Sequence, residues 1–432
     1  MPSNQTQQSS ASDLNMLAFW KAQMKPWRIT VIRTSLERLG YKMILPYLSL
    51  FIILMGATKA QLGLITSAGL LVTAFLGPAL GQVIDRNGPK RVYIFGILIL
   101  IGGYLAFYSA PVWQVAALGM LLHQLGAGVG GASCASICGN CLASCDRAKG
   151  MLVCESLAAG LLGIVGPMIS GWFLVNIMGV VDTPTDPNSI RPLFLITLII
   201  TTLSLLVVIF KLEDIKWNAS KREKRSVVLD AVAILKADKN CVKWLICSGV
   251  NAMPTAMVIP YIQVFASEHA SADATHLAAI TTATAVTSVC LGYILGIISD
   301  RYGRKKILIG TILLYILGLV VLMVTENQNA LIFVGLMAGF QELGITLAGT
   351  VSNELVPRSV MGRWQGVVRF FSSLWSAIMA AGAGFIYEGL GGQWVFIIYI
   401  ACEVFIRIPL LLSIPETLNN KPDEAKFAAL ND

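Results

Sequence analysis

The sequence predicts an all-α membrane protein of twelve spanning helices, arranged as two pseudo-symmetric six-helix bundles. Three observations carry that expectation: the composition, a series of twelve apolar runs, and a charged loop that recurs half a chain length later.

Of the 432 residues, 56% are hydrophobic and 13% charged, against roughly 25% charged in a soluble domain. That leaves too little polar surface to cover a water-soluble globule, so the chain belongs in lipid. A helix needs about 20 apolar residues to cross ~30 Å of hydrocarbon. Such runs fall at 28–55, 60–84, 91–110, 112–142, 150–176, 191–211, 243–266, 275–299, 306–325, 330–353, 363–387 and 394–414. Between the sixth and seventh, a charged stretch containing Lys221-Arg222-Glu223-Lys224-Arg225 reads as a solvated linker with a short amphipathic helix. The expected organisation is a tail at 1–27, a first bundle at 28–211, a linker at 212–242, a second bundle at 243–414 and a tail at 415–432. The first tail is rich in Ser and Gln and lacks the apolar core of a cleavable signal.

Orientation follows from the basic residues, which collect in loops on the cytoplasmic side. Of the 32 lysines and arginines, only Lys59 and Arg191 lie in the loops of the opposite side, and five (Arg33, Arg38, Lys42, Arg369 and Arg407) lie inside spans. Both termini are therefore expected in the cytoplasm. The net charge of +8 reflects this topology and points to no nucleic-acid partner.

The repeated loop reads Gly81-Gln82-Val83-Ile84-Asp85-Arg86-Asn87-Gly88-Pro89-Lys90-Arg91 in the first half and Gly296-Ile297-Ile298-Ser299-Asp300-Arg301-Tyr302-Gly303-Arg304-Lys305-Lys306 in the second. Other landmarks recur at nearly the same offset. Pro46-Tyr47-Leu48 answers Pro260-Tyr261-Ile262, and His123-Gln124-Leu125-Gly126 answers Gln341-Glu342-Leu343-Gly344. Two parallel halves place a substrate site at their interface near the midplane, and rocking of one half against the other exposes it to each side in turn.

On these residues the chain resembles the major facilitator superfamily along essentially its whole length. The resemblance implies a major facilitator fold and a transporter rather than an enzyme. It also implies a conformational latch at Gly81, Asp85, Arg86, Gly88, Gly296, Asp300, Arg301 and Gly303, with each Asp at a neighbouring helix terminus. Pro89 stands where the family usually has Arg. In span five, Gly163 to Gly171 looks like the Gly-Pro-x-x-Gly-Gly motif of the drug:proton antiporter branch through Gly166, Pro167 and Gly171, with Ser170 as a departure. In span four, Leu122 and Gln124 flank His123 where many such exporters carry Arg.

Ionisable side chains inside spans cost ~2.5 to 3.5 kcal/mol each on insertion scales and mark partners or wet cavities. Span one is the densest: Arg33 and Glu37, four apart, suit an ion pair, while Arg38 and Lys42 stack on the adjacent face. By resemblance, spans one, four, seven and ten line the cavity, which names Glu37, Lys42, His123, Asn251, Gln341 and Glu342. Proton coupling is expected at Glu342 first, because loss of hydration near mid-membrane favours the neutral acid, with Glu37 and His123 behind it. Substrate contacts are expected from Lys42, Arg38, Tyr41, Asn251, Gln341 and Arg369. Arg369 suits either an anion or an acid such as Glu155, whereas Glu403 and Arg407, four apart in span twelve, suit a structural pair.

Cys134, Cys138, Cys141 and Cys145, followed by Cys154, run along one side of span four and read as a packing seam; no metal site is expected. Asn218-Ala219-Ser220 fits a glycosylation pattern on what would be the wrong side of the membrane. There is no phosphate-cradling loop, nucleophile elbow or zinc-protease motif, so neither ATP nor covalent catalysis has a candidate site, and no cofactor is expected. The expectation is a monomeric, multi-pass inner-membrane transporter whose partners are a small-molecule substrate, protons and the bilayer. Export of small amphipathic compounds against protons leads. Proton-coupled import of an anionic or zwitterionic metabolite, and lysolipid transport, stay open because of the cations Lys42, Arg38 and Arg369. A membrane sensor signalling through the linker is the reading outside transport.

Overall fold

A computed structural model describes residues 20–21, 23–141, 159–213, 227–357, 360–417 and 426–427. Cys145, Cys154, Glu155, the Asn218 pattern and the Lys221 to Arg225 run lie outside the described residues, as do the side chains of Gly81, Asp85 and Arg86. The first bundle holds α1 (Lys25–Leu54), α2 (Lys59–Asn87), α3 (Pro89–Ser109), α4 (Trp113–Cys141), α5 (Ala159–Asn176) and α6 (Pro187–Lys211). A short helix, α7 (Val227–Ala237), precedes the second bundle. That bundle holds α8 (Lys239–His269), α9 (Ala274–Tyr302), α10 (Arg304–Val324), α11 (Ala330–Glu354), α12 (Met361–Leu390) and α13 (Gly392–Ser413).

Of the twelve bundle helices, ten are long and apolar enough over their described residues to cross a membrane by length and composition. The other two are α1, which has 30 residues but carries the charged cluster, and α5, described over 18 residues. The helices start and stop where local chemistry dictates. Thr58 caps α2 by accepting from the Gln61 N–H at 3.2 Å, while the Gln61 side chain returns to the Thr58 N–H at 2.8 Å. Gly88 and Gly303 end α2 and α9 at φ 79° and 103°, a region open to glycine without strain. Two helices contain a π-helical turn, Pro254–Val258 in α8 and Glu403–Arg407 in α13. In α8 the turn begins at Pro254, which has no N–H to donate.

Within the first bundle α1 packs on α4, α5 and α6, and within the second α11 packs on α9 and α10 while α8 packs on α12. The bundles meet along two seams, α2 against α12 and α5 against α9. Small residues set the closeness of both. A Cβ at Gly63 would come 2.5 Å from the Ala380 carbonyl, and one at Gly171 would come 2.9 Å from Ala278 Cβ. Cys138 and Cys141 are buried beside Trp27, Tyr93 and Ile97, with Cys134 packed against the same cluster.

Candidate functional site

The charged turn of α1 divides between two surroundings. Arg33 and Glu37 point into the first bundle, where they form an ion pair and the Arg33 guanidinium lies 4.5 Å from the Tyr93 ring centre. Arg33 is only 2% exposed, so its charge is matched locally instead of reaching water. Lys42 points the other way. Its Nζ donates to Glu342 Oε1 across 3.3 Å, joining α1 of the first bundle to α11 of the second. The other carboxylate oxygen of Glu342 accepts from Ser288 Oγ of α9 at 2.7 Å. Arg38, exposed one turn before Lys42, adds a positive charge that also acts on Glu342.

The backbone brings these groups together through small residues. A Cβ at Gly166 would meet the Leu39 carbonyl at 2.9 Å and Lys42 Cβ at 3.2 Å, so α5 lies directly against the turn bearing Lys42. Gly335 and Gly339 give α11 the same intimacy with α9, where side chains would collide with Ile280, Thr284 and Thr287. Pro167 lies inside α5 and its carbonyl accepts from Ser170 Oγ at 2.9 Å. Span five therefore serves the pair as a spacer.

Chemically, a carboxylate held by one ammonium and one hydroxyl has a modest anchor that protonation removes. The Glu342 side chain keeps 42% of its surface accessible against 13% for Lys42, so a proton or a ligand reaches the acid more easily than the base.

The other expected site residues sit elsewhere. His123 is 5% exposed, stacked on Tyr41 at 4.7 Å between ring centres and tilted against Tyr104 at 5.6 Å. Its surroundings are those of a packed ring, and the Tyr41 ring stands over it. Gln341 is buried next to Glu342, with no hydrogen-bond partner for Nε2 among the described residues. Asn251, expected to face substrate, instead accepts from Arg407 Nη2 at 2.5 Å. Arg407 also binds Glu403 at 2.8 Å, and Tyr399 donates to the same carboxylate at 2.7 Å. The Glu403 and Arg407 pair of α13 thus reaches across to α8 and takes up the Asn251 oxygen. Arg369 is exposed on α12, on a stripe with Gly362 and Gly366.

The sequence model of the Major Facilitator Superfamily matches this chain twice, over residues 31–245 and 244–429. The chain belongs to the Major Facilitator Superfamily. Multidrug resistance protein MdtG of Salmonella typhimurium is 24% identical over 311 residues, covering 70% of this chain and 72% of that protein. MdtG of Escherichia coli is 24% identical over 295 residues, 65% of this chain and 67% of the relative. Among solved structures, the nucleoside transporter NupG superposes with a TM-score of 0.72 at 15% identity over 90% of this chain and all of that one. A POT family transporter bound to a thioalcohol-conjugated peptide gives 0.69 at 15% identity, over 89% of this chain and 95% of that one. This superfamily member is a multi-pass membrane transporter of small molecules, not an enzyme.

In this transporter the second copy of the repeated loop forms a network inside the second bundle. Asp300 accepts from Arg304 Nη2 at 3.2 Å, and Arg304 also pairs with Glu354 of α11. The N-terminus of α10 is met by a different acid. Glu416 accepts from the Arg304 and Lys305 N–H groups at 3.1 and 3.3 Å, because the segment after α13 passes directly over that helix start. Asp300, expected at a helix terminus, touches instead the side chain that opens the next helix.

At the end of the molecule where α1 turns into α2, the transporter is shut by contacts between bundles that sequence reasoning missed. Lys59 Nζ lies 2.9 Å from Glu268, whose other oxygen accepts from Tyr387 at 2.7 Å. Tyr261 donates to the Lys59 carbonyl at 2.9 Å, and Glu388 accepts from the Ala60 N–H at 2.9 Å. On the other seam Tyr47 donates to the Ala274 carbonyl at 2.7 Å. Tyr47 and Tyr261 are the two tyrosines of the Pro-Tyr repeat, the one signal in the sequence that could have found this closure.

Proposed function

We propose that this protein is a proton-coupled secondary active transporter that exports small amphipathic compounds by alternating access. In this reading it works as a monomer in a cell inner membrane, with both termini cytoplasmic and its bundles at 28–211 and 243–414. The observation that carries coupling is the Lys42 to Glu342 link, the one ionic contact between bundles that lies at mid-span among the described ion pairs. A proton arriving at Glu342 removes the charge that holds α1 to α11, which biases the two bundles toward another arrangement. The clasp at Lys59, Glu268, Tyr387 and Glu388 describes one end state, closed where the basic-residue count places the outer face. That the MdtG relatives are multidrug resistance proteins supports export. A second reading, uptake of small anionic or zwitterionic compounds with protons, is favoured by the two cations Arg38 and Lys42 at the site.

Reconstitution into liposomes with an imposed pH gradient tests the proposal. Accumulation of an amphipathic dye that follows the gradient is expected, and flux indifferent to the gradient removes proton coupling. Asp85→Asn is expected to slow transport severalfold with membrane expression intact, as checked by blotting; unchanged flux removes the latch role from the first repeat.

A further inference from the structure

Within the alternating-access reading above, we infer that the outer face is held shut by the hydroxyls of Tyr47 and Tyr261, acting as a matched pair of pins, and that the ionic clasp around Lys59 adds little to the closure.

The pairing follows from the repeat. Tyr47 and Tyr261 hold the same place in the two Pro-Tyr segments, and each hydroxyl crosses to the opposite bundle. Their acceptors correspond as well. Tyr261 donates to the carbonyl of Lys59, the first residue of α2, and Tyr47 to that of Ala274, the first residue of α9. Thr58 and Asp273 precede those residues, and each caps its helix by accepting from the N–H three residues on. Both acceptors are therefore main-chain oxygens fixed at capped helix starts. One position carries Lys and the other Ala, so a pin does not depend on the side chain at its acceptor. Rocking of one bundle against the other breaks both bonds in a single movement.

Burial decides which contacts weigh most. Tyr47 and Tyr261 are each 0% exposed, so their bonds are shielded from competing water in the closed form. Gly63 and Gly171 lie beside them: a Cβ there would stand 2.9 Å from the Tyr261 hydroxyl and 3.8 Å from that of Tyr47. The small residues that set the seams thus also set the reach of the pins. By contrast, the Lys59 and Glu268 side chains keep 32% and 45% of their surface accessible. An ion pair in such surroundings is screened by water and salt and contributes little. Thr183, which donates to the Ala272 carbonyl at 2.7 Å, is half-buried, and Glu388 at the Ala60 N–H is exposed. Tyr387 stacks on Tyr261 at 5.1 Å between ring centres and gives its hydroxyl to Glu268 of its own bundle. It supports one pin without itself crossing the interface through that bond.

The balance between closed and open outer faces in the purified full chain tests the pins. Spin labels carried on p-acetylphenylalanine at Val181 and Leu390, both exposed and on opposite bundles, report the width of the mouth by double electron–electron resonance. Tyr47→Phe and Tyr261→Phe are each expected to raise the ratio of open to closed about fivefold, the worth of one net hydrogen bond. The double variant is expected to raise it about 25-fold, since both pins act on one equilibrium. Lys59→Met and Glu268→Gln are expected to change it by less than about twofold. Sodium chloride at about 1 M, which screens the ionic clasp with no substitution at all, is expected to leave the wild-type ratio unchanged. Opening by salt or by Lys59→Met as large as that of the tyrosine variants overturns the inference. So does a tyrosine variant whose melting midpoint falls while the ratio stays put, which marks a structural role, or a double variant no more open than either single one. One invariant distance in every variant removes alternating access together with the pins. Proton coupling fails separately, if liposome flux ignores the pH gradient.

Discussion

Replacing Arg407 by methionine is expected to destabilise the protein by about 3 to 5 kcal/mol, the cost of leaving a buried charge without its partner. Glu403 is 0% exposed and Arg407 1% exposed, so neither can reach water when the other is removed. The loss extends beyond the pair. The guanidinium ties α13 to α8 through Asn251, and the orphaned Glu403 would keep only Tyr399 as a donor. Thermal melting in detergent, followed by tryptophan fluorescence, should show a clear fall in midpoint. The double variant Glu403→Leu with Arg407→Met removes both charges together and should recover most of it. A single variant that melts like the wild type would show that the pair carries little of the packing between α8 and α13.

Lys42→Met carries the second large effect, this time on transport. Its removal leaves Glu342 with Ser288 as hydrogen-bond donor and Arg38 as the nearby charge, and it deletes the only ion pair between α1 and α11 among the described residues. Proton-driven flux should fall by about a hundredfold, equivalent to about 3 kcal/mol of lost coupling. Adding Glu342→Gln removes the stranded acid, so the double variant should regain thermal stability while proton-driven flux stays lost. That divergence separates a coupling pair from a merely structural one, since a structural pair would recover both.

Much of the fold was legible because membrane insertion writes itself into composition. A run of 20 apolar residues has few alternatives to a spanning helix, and the half-chain repeat of the Asp85 and Asp300 loops needs only self-comparison to be seen. Lys42 and Glu342 were legible one at a time, as charges too costly to be incidental. Their partnership was not, because they are 300 residues apart and no periodicity relates α1 to α11. Ser288 gave no signal at all: a serine in a threonine-rich helix is ordinary. Asn251 has a partner the sequence did not suggest. Its place in span seven suggested the cavity, yet Arg407 reaches it from α13, a contact that depends on the register between two helices. Glu416, three residues past the end of α13, takes the helix start expected for Asp300, and only the path of the chain after α13 reveals it.

The most direct measurement is proton-gradient-driven flux of Glu342→Gln in liposomes, beside the wild type at equal protein density. Flux that persists down the substrate's own gradient but no longer responds to the imposed pH difference is the expected result. A response as large as the wild type's would contradict Glu342 as the group that takes the coupled proton.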